Sequence, residues 1–144
     1  MSAAEIARGF LHSPGADAAI WATWAHGFPG AAWAKGPDGV MLAINRYYEH
    51  NYGKSAVDYA GATDGKVWPK QVAGEFEHND REVYTLGVPV VVQEPAPTWA
   101  DPNKRGLMLK FPMRNIRGEI VGVGGIEITH PDYVHRSEIG ACNG

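Results

Sequence analysis

The sequence predicts one mixed α+β domain. Three observations carry that reading: five strand-like runs divide two and three around a helical middle, no internal repeat interrupts them, and composition is globular, with 44% hydrophobic and 20% charged residues in a chain of 144. A chain of this length buries roughly two thirds of the surface that its unfolded form exposes, so a core forms without disulfides or metal.

Ser2 and Glu5 stand at capping-box spacing before a short helix over residues 3–11, which Ser13-Pro14-Gly15 stops. Asp17 caps a second helix with Ile20, Trp21 and Trp24 on one side, ended by Gly27 and Pro29. Two strand-like runs follow, Ala31–Lys35 and Val40–Asn45. Between them lies Gly36-Pro37-Asp38-Gly39, in which proline presets φ and the last glycine accepts a left-handed turn. Asn45 then caps a helix of two turns ending at Gly53, Ser55 with Asp58 starts another ending at Gly61, and Trp68-Pro69 opens a third. In the third, Val72, Phe76 and Val83 form one apolar stripe, closed by Gly87 and Pro89. Three β-rich runs complete the order as an antiparallel meander, Val88–Glu94, Leu107–Met113 and Glu119–Thr129.

A formal charge of −3 gives no basic footprint for nucleic acid or an anionic membrane. The longest uncharged run, between Asp17 and Lys35, is broken by glycine and proline, and the first residues lack the basic and apolar regions of a secretory signal. The lone Cys142 and the lack of an Asn-x-Ser/Thr sequon place the chain in the cytoplasm. Several motifs fail. Gly53-Lys54-Ser55 ends like a phosphate-binding loop, but Tyr48 stands where its first glycine belongs. Gly122-Val123-Gly124-Gly125 has Glu127 at the third glycine of a dinucleotide fingerprint and no helix after it, so these glycines mark close approach of a neighbouring group to the strand. No histidine pair has helical ligand spacing, His130, Asp132 and His135 make only a weak terminal cluster, and no nucleophile elbow is present. No metal is expected.

The residues at the joints, taken in order, resemble those of a PAS domain, the small α+β sensor module of signalling proteins, over about residues 29–129. Asn45 resembles the asparagine closing the second strand, Gly53 and Ser55 the Gly-x-Ser between the first helices, and Asp58 and Gly61 the acid and glycine after them. Pro69 resembles the proline opening the next helix, Asp80 the acid before the long helix and Gly87 its terminator, while Pro112, Gly118, Ile120 and Gly122 match the last hairpin. The family often ends its last strand with Asp-x-Thr; here the triplet is Glu127-Ile128-Thr129.

The resemblance implies a five-stranded antiparallel sheet with a helical block on one face and an N-terminal helical extension. It divides the chain into a helical cap (1–28), the PAS domain (29–130) and a C-terminal tail (131–144). It implies a non-enzymatic sensory module that binds a small molecule or a protein partner between helices and sheet, with Tyr48, Trp68, Phe76, Val90, Val92, Met108, Lys110, Val123 and Gly125 lining the pocket. Glu127 and Thr129 would relay the signal, and Ile20, Trp21 and Trp24 would cover the sheet or join a homodimer. The output would lie in an effector outside these residues, of the two-component or transcription-regulating kind.

Flavin-adduct relatives carry a cysteine where Gly61-Ala62-Thr63-Asp64 stands, and haem relatives use a histidine one register from His78, so neither cofactor is expected; a haem sensor is the alternative. Strand 107–113 leaves two choices. Placing Pro112 as the family does turns Met108 and Lys110 inward, whereas simple patterning buries Leu107, Leu109 and Phe111. An inward Lys110 needs a negative partner, either Glu94 or an anionic ligand. A different class of reading is a small cone-shaped isomerase or dehydratase with Asp58 or Asp64 as its base.

Overall fold

The computed structural model describes residues 24–59 and 61–129. The expectations for Ile20, Trp21, His130, Asp132, His135 and Cys142 fall outside them. Strands β1 (Ala32–Lys35) and β2 (Met41–Ile44) form the first hairpin. Its turn is closed by Gly36 N–H donating to Val40 O at 2.9 Å, with Gly39 at φ 80°. Four helices follow: α1 (Arg46–Tyr52), α2 (Ala56–Tyr59), α3 (Asp64–Val67) and α4 (Lys70–Leu86). Strands β3 (Val90–Pro95), β4 (Arg105–Arg114) and β5 (Ile120–Glu127) end the chain of elements. Among the described residues no helix is long and apolar enough to cross a membrane.

All pairings are antiparallel, in the order β2-β1-β5-β4-β3. The first and last strands of the two sequence blocks therefore meet at the centre, and the connection from β2 to β3 carries the four helices across one face. The capping signals in the sequence are made as expected. Asn45 Oδ1 accepts from Tyr48 N–H and Ala32 N–H, both at 3.0 Å, and its amide donates to Ala25 O and Gly30 O, both at 2.8 Å. One buried side chain thus starts α1 and ties down the approach to β1. Ser55 Oγ accepts from Asp58 N–H at 3.1 Å, and Gly53 and Gly87 terminate α1 and α4 in the left-handed conformation.

Two expectations need correction. The helix opened by Pro69 is itself the long helix and runs on to Leu86, so Asp80 lies inside it rather than before it. A fourth, one-turn helix over Asp64–Val67 also intervenes, which no apolar periodicity announces because its four residues are Asp, Gly, Lys and Val.

The core lies between the helices and the inner sheet face. It gathers Trp33, Ile44, Tyr48, Tyr52, Tyr59, Trp68, Phe76 and Met108. The rings meet edge to face, Tyr48 on Tyr52 with centroids 4.6 Å apart and Trp68 on Phe76 at 5.7 Å. Register decides the orientation of β4. Met108 and Lys110 are 1% and 0% exposed, whereas Leu107 is 39% exposed on the opposite side. The glycines of β5 are places of close packing: Phe111 lies 2.6 Å from where a side chain on Gly124 would begin, and the Trp33 indole covers Gly125.

Candidate functional site

Strand alternation brings Lys35 and Lys110 to the inner face beside Trp33 and Met108, where Lys110 is fully buried and Lys35 nearly so. Burial of an unpaired ammonium is costly, and helices α3 and α4 supply the compensation. Asp64 Oδ2 lies 2.5 Å from Lys35 Nζ, and Asp80 places one oxygen 2.6 Å from Lys35 and the other 2.9 Å from Lys110. Lys110 also pairs with Glu94 on β3 at 2.9 Å, and Asn79 of α4 donates to the same Glu94 oxygen at 2.8 Å. The result is a continuous ladder, Asp64–Lys35–Asp80–Lys110–Glu94, that fastens α3 and α4 to three strands.

Its electrostatics are uneven, with three carboxylates for two ammoniums. Burial alone would raise the Asp80 carboxyl, but Lys35 and Lys110 outweigh it and hold the group below the usual carboxylate range. Glu94 goes the other way, because burial pushes its carboxyl up and Lys110 with Asn79 only partly offsets that. Burial works against the Lys35 ammonium too, yet Asp80 and Asp64 keep it above the ordinary lysine value. The ladder continues into the aromatic core: Tyr59 donates to Asp64 Oδ1 at 3.1 Å, and its hydroxyl receives the Trp68 indole N–H and lies 2.9 Å from the Tyr48 hydroxyl.

Space is distributed unequally around this ladder. Among Trp33, Tyr48, Tyr52, Phe76 and Met108 only about 10 Å³ is left, close to the minimum that one water requires. On the other side, between the β1–β2 turn, α3, α4 and β5, a cleft of about 490 Å³ opens to solvent. Lys35, Asp64 and Asp80 lie along it, with Glu77, Arg81, Tyr84 and Val123 among its walls. Such a volume holds a small ligand. Among the described residues no cluster of His, Cys, Asp and Glu is arranged to hold a metal ion.

Over residues 26–128 the sequence matches the family described as the PAS fold. The chain belongs to the PAS family. Solved structures agree with this PAS fold. VqmA bound to DPO superposes with a TM-score of 0.64 at 26% identity, over 81% of this chain and 57% of that one. The Vibrio cholerae VqmA dimer gives the same TM-score and identity, over 81% of this chain and 52% of that one, so the PAS protein spans little more than half of these VqmA chains. The PAS domain of Bordetella pertussis BvgS, 20% identical, superposes with a TM-score of 0.65 over 88% of this chain and 93% of that one, and supports the fold. No curated protein sequence matches significantly.

Within this PAS domain the residues named from sequence separate into groups. Tyr48, Trp68, Phe76 and Met108 are packed together in the aromatic core, with Val92 against its edge. Val90 is half-buried and pairs in register with Lys110, which the ladder consumes. Val123 lines the open cleft, and Gly125 lies under Trp33. Trp24 is partly exposed, and His78 is exposed on α4, turned from the interior. Of the two candidate bases, Asp58 is an exposed capping residue and Asp64 is held by Lys35 and Tyr59. Glu127 is buried, 3.6 Å from the Lys104 ammonium, whereas Thr129 is exposed and accepts from Leu107 N–H at 3.1 Å. Sequence reasoning missed the part played by Lys35 and Asp80. The signal for Lys35 was its parity with Trp33, since two residues on one strand share a face.

Proposed function

We propose that this PAS domain is a non-enzymatic sensory module that takes a small polar molecule into the cleft between α4 and the sheet and relays its occupancy through β5. The cleft carries this reading: its space of about 490 Å³ reaches Lys35, Asp64 and Asp80. A ligand with both donors and acceptors can compete for those groups, and any exchange of partners there shifts α3 and α4 relative to the strands that the ladder joins. VqmA bound to DPO, a relative by fold and at 26% identity, makes DPO the first probe. Output is assigned to an effector domain or partner protein, and the chain works as a homodimer through its outer sheet face, where Val91 and Leu107 are 57% and 39% exposed.

Native mass spectrometry of the freshly purified protein, followed by titration with DPO, tests the ligand reading. A retained small molecule or a saturable DPO complex is expected, weakened about tenfold by Glu77→Gln or Arg81→Ala on the exposed side of α4, the scale of one good polar contact. A bare protein that takes up no DPO, or binding that ignores both substitutions, contradicts it.

A further inference from the structure

On the opposite side of the domain, the loop between β3 and β4 folds against the α1–α2 turn and the start of α4. It leaves a second groove, of about 560 Å³, whose lining includes Trp68, Trp99, Pro69, Pro97, Pro102 and Lys54. The loop holds its own shape through Thr98 and Asp101, each of which receives a backbone N–H from the other, at 3.0 and 3.1 Å. Trp99 at its tip is 88% exposed. Its indole nitrogen rests 3.2 Å from where a Cβ on Gly53 would stand, and Gly53 at φ 67° is a position that disfavours any side chain.

Trp99 is far more open than Trp24, which is 45% exposed, and Trp is among the residues enriched at the energetic centres of interfaces. The charge of the groove is equally one-sided. Lys54 is its only ionic wall residue; the ammonium lies 4.6 Å from the Trp68 ring centre, and among the described residues no carboxylate pairs with it. Lys70 follows Pro69 directly and adds a second exposed cation at the rim. Asp101, the acid in the loop, is exposed with one oxygen accepting from Asn103 N–H at 3.1 Å, so Lys54 and Lys70 outnumber it around the groove.

We propose that this groove docks a proline-containing acidic segment of a partner protein. The open Trp99 indole between rigid proline walls suits an extended polyproline-type strand, which carries little ordering cost, and Lys54 with Lys70 selects acidic flanks. The groove is also wired to the exit strand. Tyr52 forms part of its floor and sits in the field of the Glu127 carboxylate, and Lys104, where the loop rejoins β4, lies 3.6 Å from the same carboxylate. Occupancy of the groove therefore bears on Glu127 without passing through the ligand cleft.

The test is amide and indole NMR of the full chain titrated with the synthetic peptide Asp-Pro-Pro-Tyr-Asp and its counterpart Lys-Pro-Pro-Tyr-Lys. The acidic peptide is expected to shift the Trp99 indole and the amides of Gly53, Lys54 and Thr98, with Glu127 following. Trp99→Ala, exposed and harmless to the core, weakens binding at least about tenfold, and Lys54→Glu reverses the preference toward the basic peptide. The proposal is overturned if the acidic peptide shifts none of these signals up to about 1 mM, if Trp99→Ala binds unchanged, or if wild type prefers the basic peptide. A Trp99 signal that moves with protein concentration alone would assign the groove to a second copy instead. Glu77→Gln and Arg81→Ala leave peptide binding intact, which separates this site from the cleft.

Discussion

Lys110 is the residue on which the interior turns. It is fully buried, and its ammonium is shared between Asp80 and Glu94. Lys110→Met removes one charge and leaves three carboxylates, Asp64, Asp80 and Glu94, with the single Lys35 ammonium, so a loss of about 3–5 kcal/mol is expected in denaturant unfolding. Glu94→Gln balances the ladder at two and two while keeping a group that accepts from Lys110 and Asn79, and should cost no more than about 1.5 kcal/mol. Equal costs for the two substitutions would show that the ladder is not the unit described. Asn45→Ala is the corresponding polar test, since four backbone groups lose their partner. At least about 2 kcal/mol is expected from the lost cap and the stranded groups.

Among elements, α3 and α4 are fastened to the sheet by charge as well as by apolar packing, so part of their attachment depends on pH. Asp80 has a folded-state pKa below its unfolded value, so its contribution is present above about pH 4 and lost as pH falls through the folded value. Lys35 is raised, so its contribution is complete below about pH 10.4 and lost only as pH climbs past the folded value. Glu94 is raised as well. Its contribution is full below about pH 4.3 and declines as pH rises through its folded value, and Glu94→Gln should abolish that decline. Unfolding curves from pH 3 to 7 on both proteins check this; parallel profiles would refute it.

The sequence made much of this architecture legible. Caps at Asn45, Ser55 and Gly87 are local, each decided within four residues, and they placed α1, α2 and the end of α4. The ladder was not legible, because Lys35 meets Asp64 and Asp80 across 29 and 45 residues of chain. In β4 both alternating sets are apolar enough to be buried. Pattern alone favoured Leu107, Leu109 and Phe111, and the choice of Met108 and Lys110 followed from pairing with β5. The short helix α3 escaped notice for the same reason: Asp64 caps nothing of its own and is held there by Lys35 and Tyr59 from elsewhere in the fold.

At the scale of the whole molecule, the described residues frame a polar cleft beside α4 and an aromatic groove at the β3–β4 loop, on either side of the packed aromatic core. The cleft reaches the sheet at Lys35 and Val123, and the groove's loop rejoins the sheet beside Lys104, 3.6 Å from Glu127. The outer face of that sheet offers Val91, Leu107, Leu109 and Phe111 for association. Light scattering at about 100 μM is expected to give a dimer mass that Leu107→Asp lowers to that of a monomer. A wild-type monomer at that concentration would remove dimerisation from the scheme.

The most direct measurement is a crystal structure of the full chain grown with DPO or with the molecule it retains on purification. The ligand should lie in the α4 cleft within hydrogen-bond reach of Lys35, Asp64 or Asp80, with Trp33, Phe76 and Met108 still in contact behind it. A ligand found wedged among those three core residues, or a small molecule turned over in the crystal, would contradict the account.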